Sequence, residues 1–219
     1  LLRRRRHRRK IRRCAQMGER LMEPFTRFTA IAAPMDRDNI DTDQIIPARY
    51  LMMPRDDRYQ TYVFRDLRID ADGAEIPDFV LNQPAFRDSR IIVGKHNFGC
   101  GSSREGAIFT LVDAGFRSII ATSFGDIFYN NAFNNGLLPV VLPEETVNSL
   151  RAALHETPGA NITVDLEAQI VTGPDGAAHA FDIDSHRRHR LLNGLDAVDY
   201  TLQFEAEMTA FEETYAESV

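Results

Sequence analysis

A glycine-containing loop that ends in Ser102, Ser103 and Arg104 concentrates groups able to bind and act on an anionic substrate. Its glycines, Gly99 and Gly101, let backbone N–H groups approach a ligand closely. A helix is predicted to begin directly after them, and the positive end of its dipole points at whatever occupies the loop. The serines add hydroxyl groups, and the guanidinium can bind a carboxylate through two hydrogen bonds. The pattern therefore favours a small polycarboxylate or a phosphate.

A purely structural interpretation explains part of the same pattern. Ser102 followed by Glu105 forms a capping box, in which the serine only caps the next helix. That interpretation leaves the grouping of Asn97, Gly99 and Gly101 unexplained. The loop also lacks the Gly-Lys-Ser/Thr end of a P-loop and does not match Gly-x-Gly-x-x-Gly, so the pattern disfavours a nucleotide.

Other kinds of catalytic site have weaker support. No Gly-x-Ser-x-Gly nucleophile elbow occurs, and His186 and His189 have no evident third zinc ligand. The two cysteines are Cys14 and Cys100, too few for a disulfide framework or for the thiolates of an iron–sulfur cluster. We expect Cys100 to be a small packed residue rather than a nucleophile, and this cysteine usage suits a reducing cytoplasm.

The elements that position the loop can be read from the surrounding sequence. Residues 90–93 form a β-branched run that predicts a buried strand, and Ser118 begins a second such run. Between them, apolar residues at helical spacing predict a helix that Gly115 ends with a left-handed cap. A strand–helix–strand unit of this kind predicts two parallel strands.

The rest of the body extends this pattern into one mixed α/β domain covering residues 22–219. Apolar runs predict strands, and helical spacing bounded by Pro or Gly predicts helices. The predicted strands are 28–32, 138–142, 162–172 and 178–183, the last two joined by a turn at 174–176; the predicted helices are 126–135, one from 143, 187–193, and a longer acidic one from about 196.

Composition and charge limit the function classes. The chain has 219 residues, 43% of them hydrophobic and 26% charged, which is typical of a globular protein, and no apolar run is long enough for a transmembrane helix. Residues 1–21 hold ten of the 26 Lys and Arg residues and one of the 32 acidic ones. The remainder has 16 basic and 31 acidic residues, a net charge of −15 that disfavours nucleic-acid binding by the body.

Residues 1–21 are predicted to be a disordered, arginine-rich extension. They lack the apolar segment of a secretory signal, and their arginines are contiguous rather than spaced along an amphipathic helix. We expect Met22 to be the true start of translation. The alternative is a polybasic arm that binds nucleic acid or a membrane, and in the nucleic-acid case the chain would be a non-catalytic binding module docked by this arm.

Five ordered motifs carry a resemblance over residues 22–217. They are DRDNIDTDQIIPARYL (36–51), PDFVLN (77–82), NFGCGSSRE (97–105), SFGDIF (123–128) and NNGLLP (134–139). Together they resemble the small subunits of isopropylmalate isomerases, a family of the aconitase superfamily. The resemblance implies a swivelling β/β/α domain that resembles the C-terminal domain of aconitase, with a mixed sheet and flanking helices.

The same resemblance implies a reaction and a partner. Such a subunit forms a heterodimer with a large subunit, which holds a [4Fe–4S] cluster, whereas the small subunit itself binds no cofactor. The implied hydro-lyase converts 2-isopropylmalate into 3-isopropylmalate through 2-isopropylmaleate, in leucine biosynthesis. The same chemistry on a smaller methylated malate, such as citramalate or dimethylmalate, is the alternative.

Residue roles also follow from the resemblance. Ser102 matches the serine that removes the proton α to a carboxylate, and Ser103 and Arg104 match substrate-binding positions, with the guanidinium clamping a carboxylate. Gly106 is a departure, because many family members carry histidine there.

Substrate selectivity is expected to depend on the loop after Ala48. Arg49, Tyr50 and Met52 are the predicted substrate contacts there, and Met52 is apolar where relatives that act on tricarboxylates place an arginine. An apolar side chain suits an isopropyl group. Arg55 and Arg58 follow in the same loop, and either could fold back toward an additional carboxylate.

Overall fold

In the computed structural model, which describes residues 22–217, the centre of the fold is a seven-stranded mixed sheet. Its strands are β1 (Arg27–Pro34), β2 (Ile91–Val93), β3 (Ser118–Ala121), β4 (Leu138–Val141), β5 (Asn161–Asp165), β6 (Ile170–Thr172) and β7 (Ala178–Ala180). They lie in the order β4-β3-β2-β1-β5-β6-β7. Strands β1 to β4 are parallel, whereas β5, β6 and β7 continue from β1 with antiparallel pairing. The predicted mixed α/β fold is confirmed, and the prediction for residues 1–21 lies outside the described residues.

Helices flank this sheet. They are α1 (Thr42–Ile45), α2 (Arg65–Arg68), α3 (Glu105–Asp113), α4 (Asp126–Asn134), α5 (Glu144–Glu156), α6 (Ser185–Asn193), α7 (Ala197–Leu202) and α8 (Glu205–Glu217), and short 3-10 turns occur at Ala48–Tyr50, Tyr59–Tyr62 and Val80–Asn82. Over residues 22–217, no helix has both the length and the apolar character needed to cross a membrane.

Two apolar clusters cover opposite faces of the parallel strands. Ile92 and Ile119 pack with Ile108 of α3 on one face. Ile91 packs with Leu150 of α5 on the other face, because successive strand side chains point to opposite sides. All five side chains are buried, and each contributes about 1.5–3 kcal/mol to the stability of the fold. This two-sided burial explains why these strands read as continuous apolar runs.

The crossover from β2 through α3 to β3 follows the sequence-based prediction. Strands β2 and β3 are parallel. Gly115 has a φ of +89° just after α3. Its N–H donates to the carbonyl of Val112 (2.9 Å), and Phe116 N–H donates to Leu111 (3.0 Å), which together satisfy the last carbonyls of the helix. The predicted left-handed end of this helix is confirmed.

Two element predictions were wrong. Residues 162–172, predicted as one strand, form β5 and β6, because Asp165 and Gln169 make a turn between them. The Asp165 carboxylate accepts the N–H of Ala168 (2.8 Å), and Gln169 adopts a left-handed φ of +56°. The long helix predicted from about residue 196 is interrupted between α7 and α8, where Gln203 and Phe204 form a turn.

Helix α5 also holds the segment that follows β1. Arg151 forms an ion pair with Asp36, and His155 Nε2 lies 2.8 Å from the second carboxylate oxygen of Asp36. Partial burial opposes ionisation of Asp36, but the hydrogen bonds and charges of Arg151 and His155 prevail and lower its pKa. The start of the 36–51 motif is thereby fixed against the sheet.

Candidate functional site

The loop after β2 pairs with the loop after β1. The N–H groups of Gly99 and Cys100 both donate to the Ile40 carbonyl (2.7 and 3.2 Å), and Thr42 N–H donates to the Cys100 carbonyl (2.9 Å). The Thr42 hydroxyl also donates to the Ser102 carbonyl (3.0 Å). These bonds join two of the five sequence motifs and set the position of the backbone at Ser102.

A second group of contacts joins the same loops nearer the sheet. Asp38 accepts hydrogen bonds from Lys95 Nζ (2.7 Å) and from the N–H of His96 (3.2 Å), and these bonds lower the pKa of its carboxyl group. The Asn97 amide donates to the side-chain oxygen of Asn39 (2.8 Å). The loop after β2 is therefore held to the loop after β1 at residues 95–97 as well as at residues 99–102.

Gly99 has a packing role that the sequence did not reveal. Its φ is +73°, and a Cβ there would lie 2.2 Å from the ring of Phe128, which is buried on α4. A Cβ on Gly125 would in turn lie 2.6 Å from the Gly99 carbonyl oxygen. Gly99 thus permits contact with the neighbouring loop and helix, rather than only with a ligand.

We expect Gly99→Ala to lower the free energy of unfolding by roughly 2–5 kcal/mol, from left-handed backbone strain together with overpacking against Phe128. Gly73→Ala is the matched control, because Gly73 has a φ of +86° and nothing within 4 Å of its Cβ position. The control should lose only the strain, about 1–2 kcal/mol. Urea unfolding of both variants measures the difference, and equal losses would contradict a cost from Phe128.

The predicted capping box was wrong. Helix α3 begins at Glu105, its N-cap residue is Arg104, and no side chain caps it. In a capping box the serine stands three residues before the third helical residue, whereas Ser102 stands three residues before the first one. Ser102 is exposed, and its hydroxyl forms no hydrogen bond with any residue from 22 to 217.

The backbone before α3 offers a set of donors. The N–H groups of Ser102, Ser103 and Arg104 donate to no acceptor within the described part of the chain. They precede the first turn of a nine-residue helix, whose own N–H groups and dipole also favour negative charge. This arrangement can bind a carboxylate or stabilise an alkoxide at Ser102.

Arg104 is oriented by a residue that the sequence reasoning missed. Its guanidinium forms an ion pair with Asp43, and its side chain is only 18% exposed. Asp43 belongs to α1, whose first turn is capped by Asp41 through the N–H of Gln44 (2.7 Å). Asp43 was visible in the sequence as part of the Asp-Thr-Asp of the 36–51 motif. Its pairing with Arg104, 61 positions away, could not be predicted from residue spacing.

Arg49 and Tyr50 lie in a different environment from the serines. Arg49 forms an ion pair with Asp66, which raises the pKa of the guanidinium and lowers that of the carboxyl group. Its guanidinium lies over the Tyr50 ring at 4.6 Å, and Tyr50 stacks on Tyr62 at 4.3 Å. These two residues line a cavity of about 420 Å³ that Ser102 does not line. Their role as substrate contacts stays a prediction.

The loop that follows presents Met52 to solvent. Its side chain is 93% exposed. Arg55 binds Asp113 through two hydrogen bonds (2.7 and 2.8 Å), and Arg58 binds Asp56 (2.8 Å). Both guanidinium groups are therefore engaged by carboxylates of this chain.

Within the described residues, Cys100 and His186 do not form a reactive centre. Burial, with a contribution from Asp41, raises the pKa of the Cys100 thiol, which disfavours a thiolate nucleophile. His186 packs edge-on against the Tyr200 ring at 4.4 Å. Among the described residues no group of three or more potential ligands could hold a metal ion, and their single cysteine does not fit an iron–sulfur cluster.

The fold and the loop define a class of protein, the swivelling domain of the aconitase type. A family model described as the aconitase C-terminal domain matches residues 22–145, and a second, described as LeuD_N, matches residues 148–185. Together these matches cover the parallel strands, the antiparallel extension and the start of α6.

Relatives narrow the class. The 3-isopropylmalate dehydratase small subunit of Parvibaculum lavamentivorans is 50% identical over 197 residues, covering 90% of this chain and 98% of its own. That of Cereibacter sphaeroides is 51% identical over 195 residues, covering 89% and 97%. The crystal structure of 3-isopropylmalate dehydratase from Methanocaldococcus jannaschii matches with a TM-score of 0.61 and 25% identity, covering 84% and 99%. The chain belongs to the family of 3-isopropylmalate dehydratase small subunits, which confirms the resemblance seen in its motifs.

Proposed function

We propose that this chain is the small subunit of a heteromeric hydro-lyase that interconverts 2-isopropylmalate and 3-isopropylmalate through 2-isopropylmaleate, in leucine biosynthesis. The observation that carries this proposal is the exposed Ser102 hydroxyl beside the unused N–H groups of Ser103 and Arg104. Family membership supports the reaction and favours it over a non-catalytic module that binds nucleic acid.

In the proposed reaction Ser102 is the base. Its Oγ, as the alkoxide, takes the proton α to a carboxylate, the electrons of that C–H bond form the C=C bond, and the hydroxyl on the neighbouring carbon takes a proton from a general acid of the partner subunit and departs as water. Rehydration then adds water with the opposite orientation: the same acid takes back one proton of the water, the hydroxide adds to the carbon that carried the α proton, and Ser102 returns its proton to the other carbon. A serine hydroxyl ionises far above neutral pH, so the N–H groups and the helix dipole must stabilise its alkoxide.

The proposal requires a partner, because the end of the loop that carries Ser102 and Ser103 (residues 101–103, the serine loop) is open to solvent and supplies only one side of a site. The partner is the large subunit, and it carries the [4Fe–4S] cluster that the described residues cannot hold. A reducing cytoplasm suits both the cluster and the unpaired Cys100.

The substrate assignment depends on three residues of this chain. Arg104 keeps donors beyond its bond to Asp43 and can clamp a carboxylate. Met52 is exposed and apolar, which suits an isopropyl group at the closed interface. Ser103 is exposed and stands between Ser102 and Arg104 in the chain, and its hydroxyl can bind a second substrate oxygen.

Reconstitution tests the proposed function. The purified chain is mixed anaerobically with its cognate large subunit after cluster assembly, and the ultraviolet absorbance of the unsaturated intermediate is followed. We expect no turnover with either subunit alone, turnover of 2-isopropylmalate with both, and poor turnover of citramalate. Activity on citramalate but not on 2-isopropylmalate would overturn the substrate, and inactivity on every alkyl malate would overturn the reaction.

A further inference from the structure

One side of helix α3 contacts the loop from Leu51 to Tyr59 at three positions along the helix. Gly106, Thr110 and Asp113 are spaced by four and three residues, which places them on the same side of the helix. Each of them meets the segment from Leu51 to Tyr59, which includes Met52. The helix that begins at the serine loop is therefore also the support of the loop assigned to selectivity.

The first of these positions lies beside the serine loop. A Cβ on Gly106 would be 2.8 Å from the Tyr59 hydroxyl oxygen and 2.9 Å from Leu51 Cδ2. The absence of a side chain at Gly106 thus lets both residues pack on the first turn of α3. Because Leu51 directly precedes Met52, the backbone of the methionine follows immediately after a residue that packs on the first turn of α3.

Thr110 and Asp113, the second and third positions on the helix, hold the part of the loop that follows Met52. The buried Thr110 hydroxyl donates to the Tyr59 carbonyl (2.9 Å). Asp113, whose side chain is only 7% exposed, accepts hydrogen bonds from Arg55 Nε and Nη2 (2.7 and 2.8 Å). The Arg55 guanidinium also lies over the Phe109 ring at 4.3 Å. A bidentate pair with one partly buried partner fixes orientation as well as distance.

We propose that the Arg55–Asp113 pair is a clamp that positions Met52 beside the serine loop and thereby sets the preference for a branched alkyl group. This inference rests on the proposed function. Met52 is 93% exposed, so its place is determined by its neighbours: Leu51 is anchored on one side and Arg55 on the other. Arg55 and Asp113 are positioning residues, because they act on substrate only through the loop between their anchors.

The test compares Arg55→Gln, Asp113→Asn and the double variant with wild type in the reconstituted heteromer. Each single variant should raise KM for 2-isopropylmalate about tenfold and reduce its kcat/KM advantage over citramalate about as much, with kcat changed less than about twofold. The double variant should have the same KM and selectivity as either single variant, because each single substitution already removes the Arg55–Asp113 interaction. Arg58→Gln is the matched control, since its bond to Asp56 stays within the loop, and it should leave all three quantities unchanged.

Hydrogen–deuterium exchange of the full chain and of the heteromer supplies a readout that needs no activity. Backbone amides of residues 52–58 should exchange at least about fivefold faster in Arg55→Gln and Asp113→Asn than in wild type or Arg58→Gln. Unchanged exchange would overturn the clamp, and faster exchange with unchanged KM and selectivity would overturn its role in substrate choice. If the wild-type heteromer processed no alkyl malate, the proposed function would fail, while the exchange result would still decide whether the clamp exists.

Discussion

Replacing Ser102 with alanine should reduce kcat in the reconstituted heteromer by at least about a hundredfold, the scale expected for loss of a general base. The variant should bind 2-isopropylmalate nearly as well as wild type, because the backbone N–H groups of the loop and the Arg104 guanidinium remain in place. Its thermal stability should also be unchanged, because the Ser102 hydroxyl bonds to none of residues 22–217.

Ser123→Ala is the contrasting control. The Ser123 hydroxyl accepts the N–H of Asn97 (2.8 Å) and lies 3.0 Å from His96 Nδ1, so it supports the same loop through hydrogen bonds. Its loss should cost about 1 kcal/mol of stability and leave kcat within an order of magnitude. If Ser102→Ala kept near-normal turnover, the base would lie elsewhere, on this chain or on its partner.

The parallel half of the fold was predictable because its signals are local. A β-branched run, helical spacing and a glycine at residue 115 each act within a few residues, and the structure confirms the unit they predicted. The start of α3 was not predictable in the same way. Its first residue depends on Thr42 holding the Ser102 carbonyl and on Asp43 pairing with Arg104, contacts that span 60 and 61 positions.

The candidate site shows the same division between local and distant information. The motif singled out Ser102, Ser103 and Arg104 as candidates because the whole group lies in one loop, and their roles stay predictions. The behaviour of Arg55 was not accessible, since its partner Asp113 lies 58 positions further along the chain. A run of arginines shows that charge is present, but which carboxylate it meets depends on the tertiary fold.

The packing of β5 and β6 illustrates a different limit. Apolar and polar residues alternate from 162 to 170, and this alternation fits one long strand or two short ones equally well. The outcome is decided by Gln169, which takes a left-handed φ of +56°, and by the Asp165 carboxylate that accepts the Ala168 N–H. Only asparagine, aspartate and glycine signal such a conformation strongly, so a glutamine there gave no warning.

Arg104→Ala is the second variant for which we expect a large effect. Removal of the guanidinium should lower kcat/KM about a hundredfold, mainly through a higher KM, because one substrate carboxylate loses a charged, bidentate partner. The variant should fold, because the residue caps α3 with its backbone rather than its side chain. Arg104→Lys should recover only part of the loss, since an ammonium keeps the charge but not the planar fork.

Asp43→Asn tests how much the orientation of the Arg104 guanidinium contributes, separately from its presence. The asparagine keeps the shape of the partner and leaves the arginine present, so kcat/KM should fall by about tenfold rather than a hundredfold. The three variants are compared by steady-state kinetics of the heteromer on 2-isopropylmalate. Equal activity of wild type and Arg104→Lys would show that the carboxylate is bound by charge alone. A loss in Asp43→Asn as large as in Arg104→Ala would show that Asp43 itself contacts the substrate or the partner, and that the guanidinium is present chiefly to neutralise it.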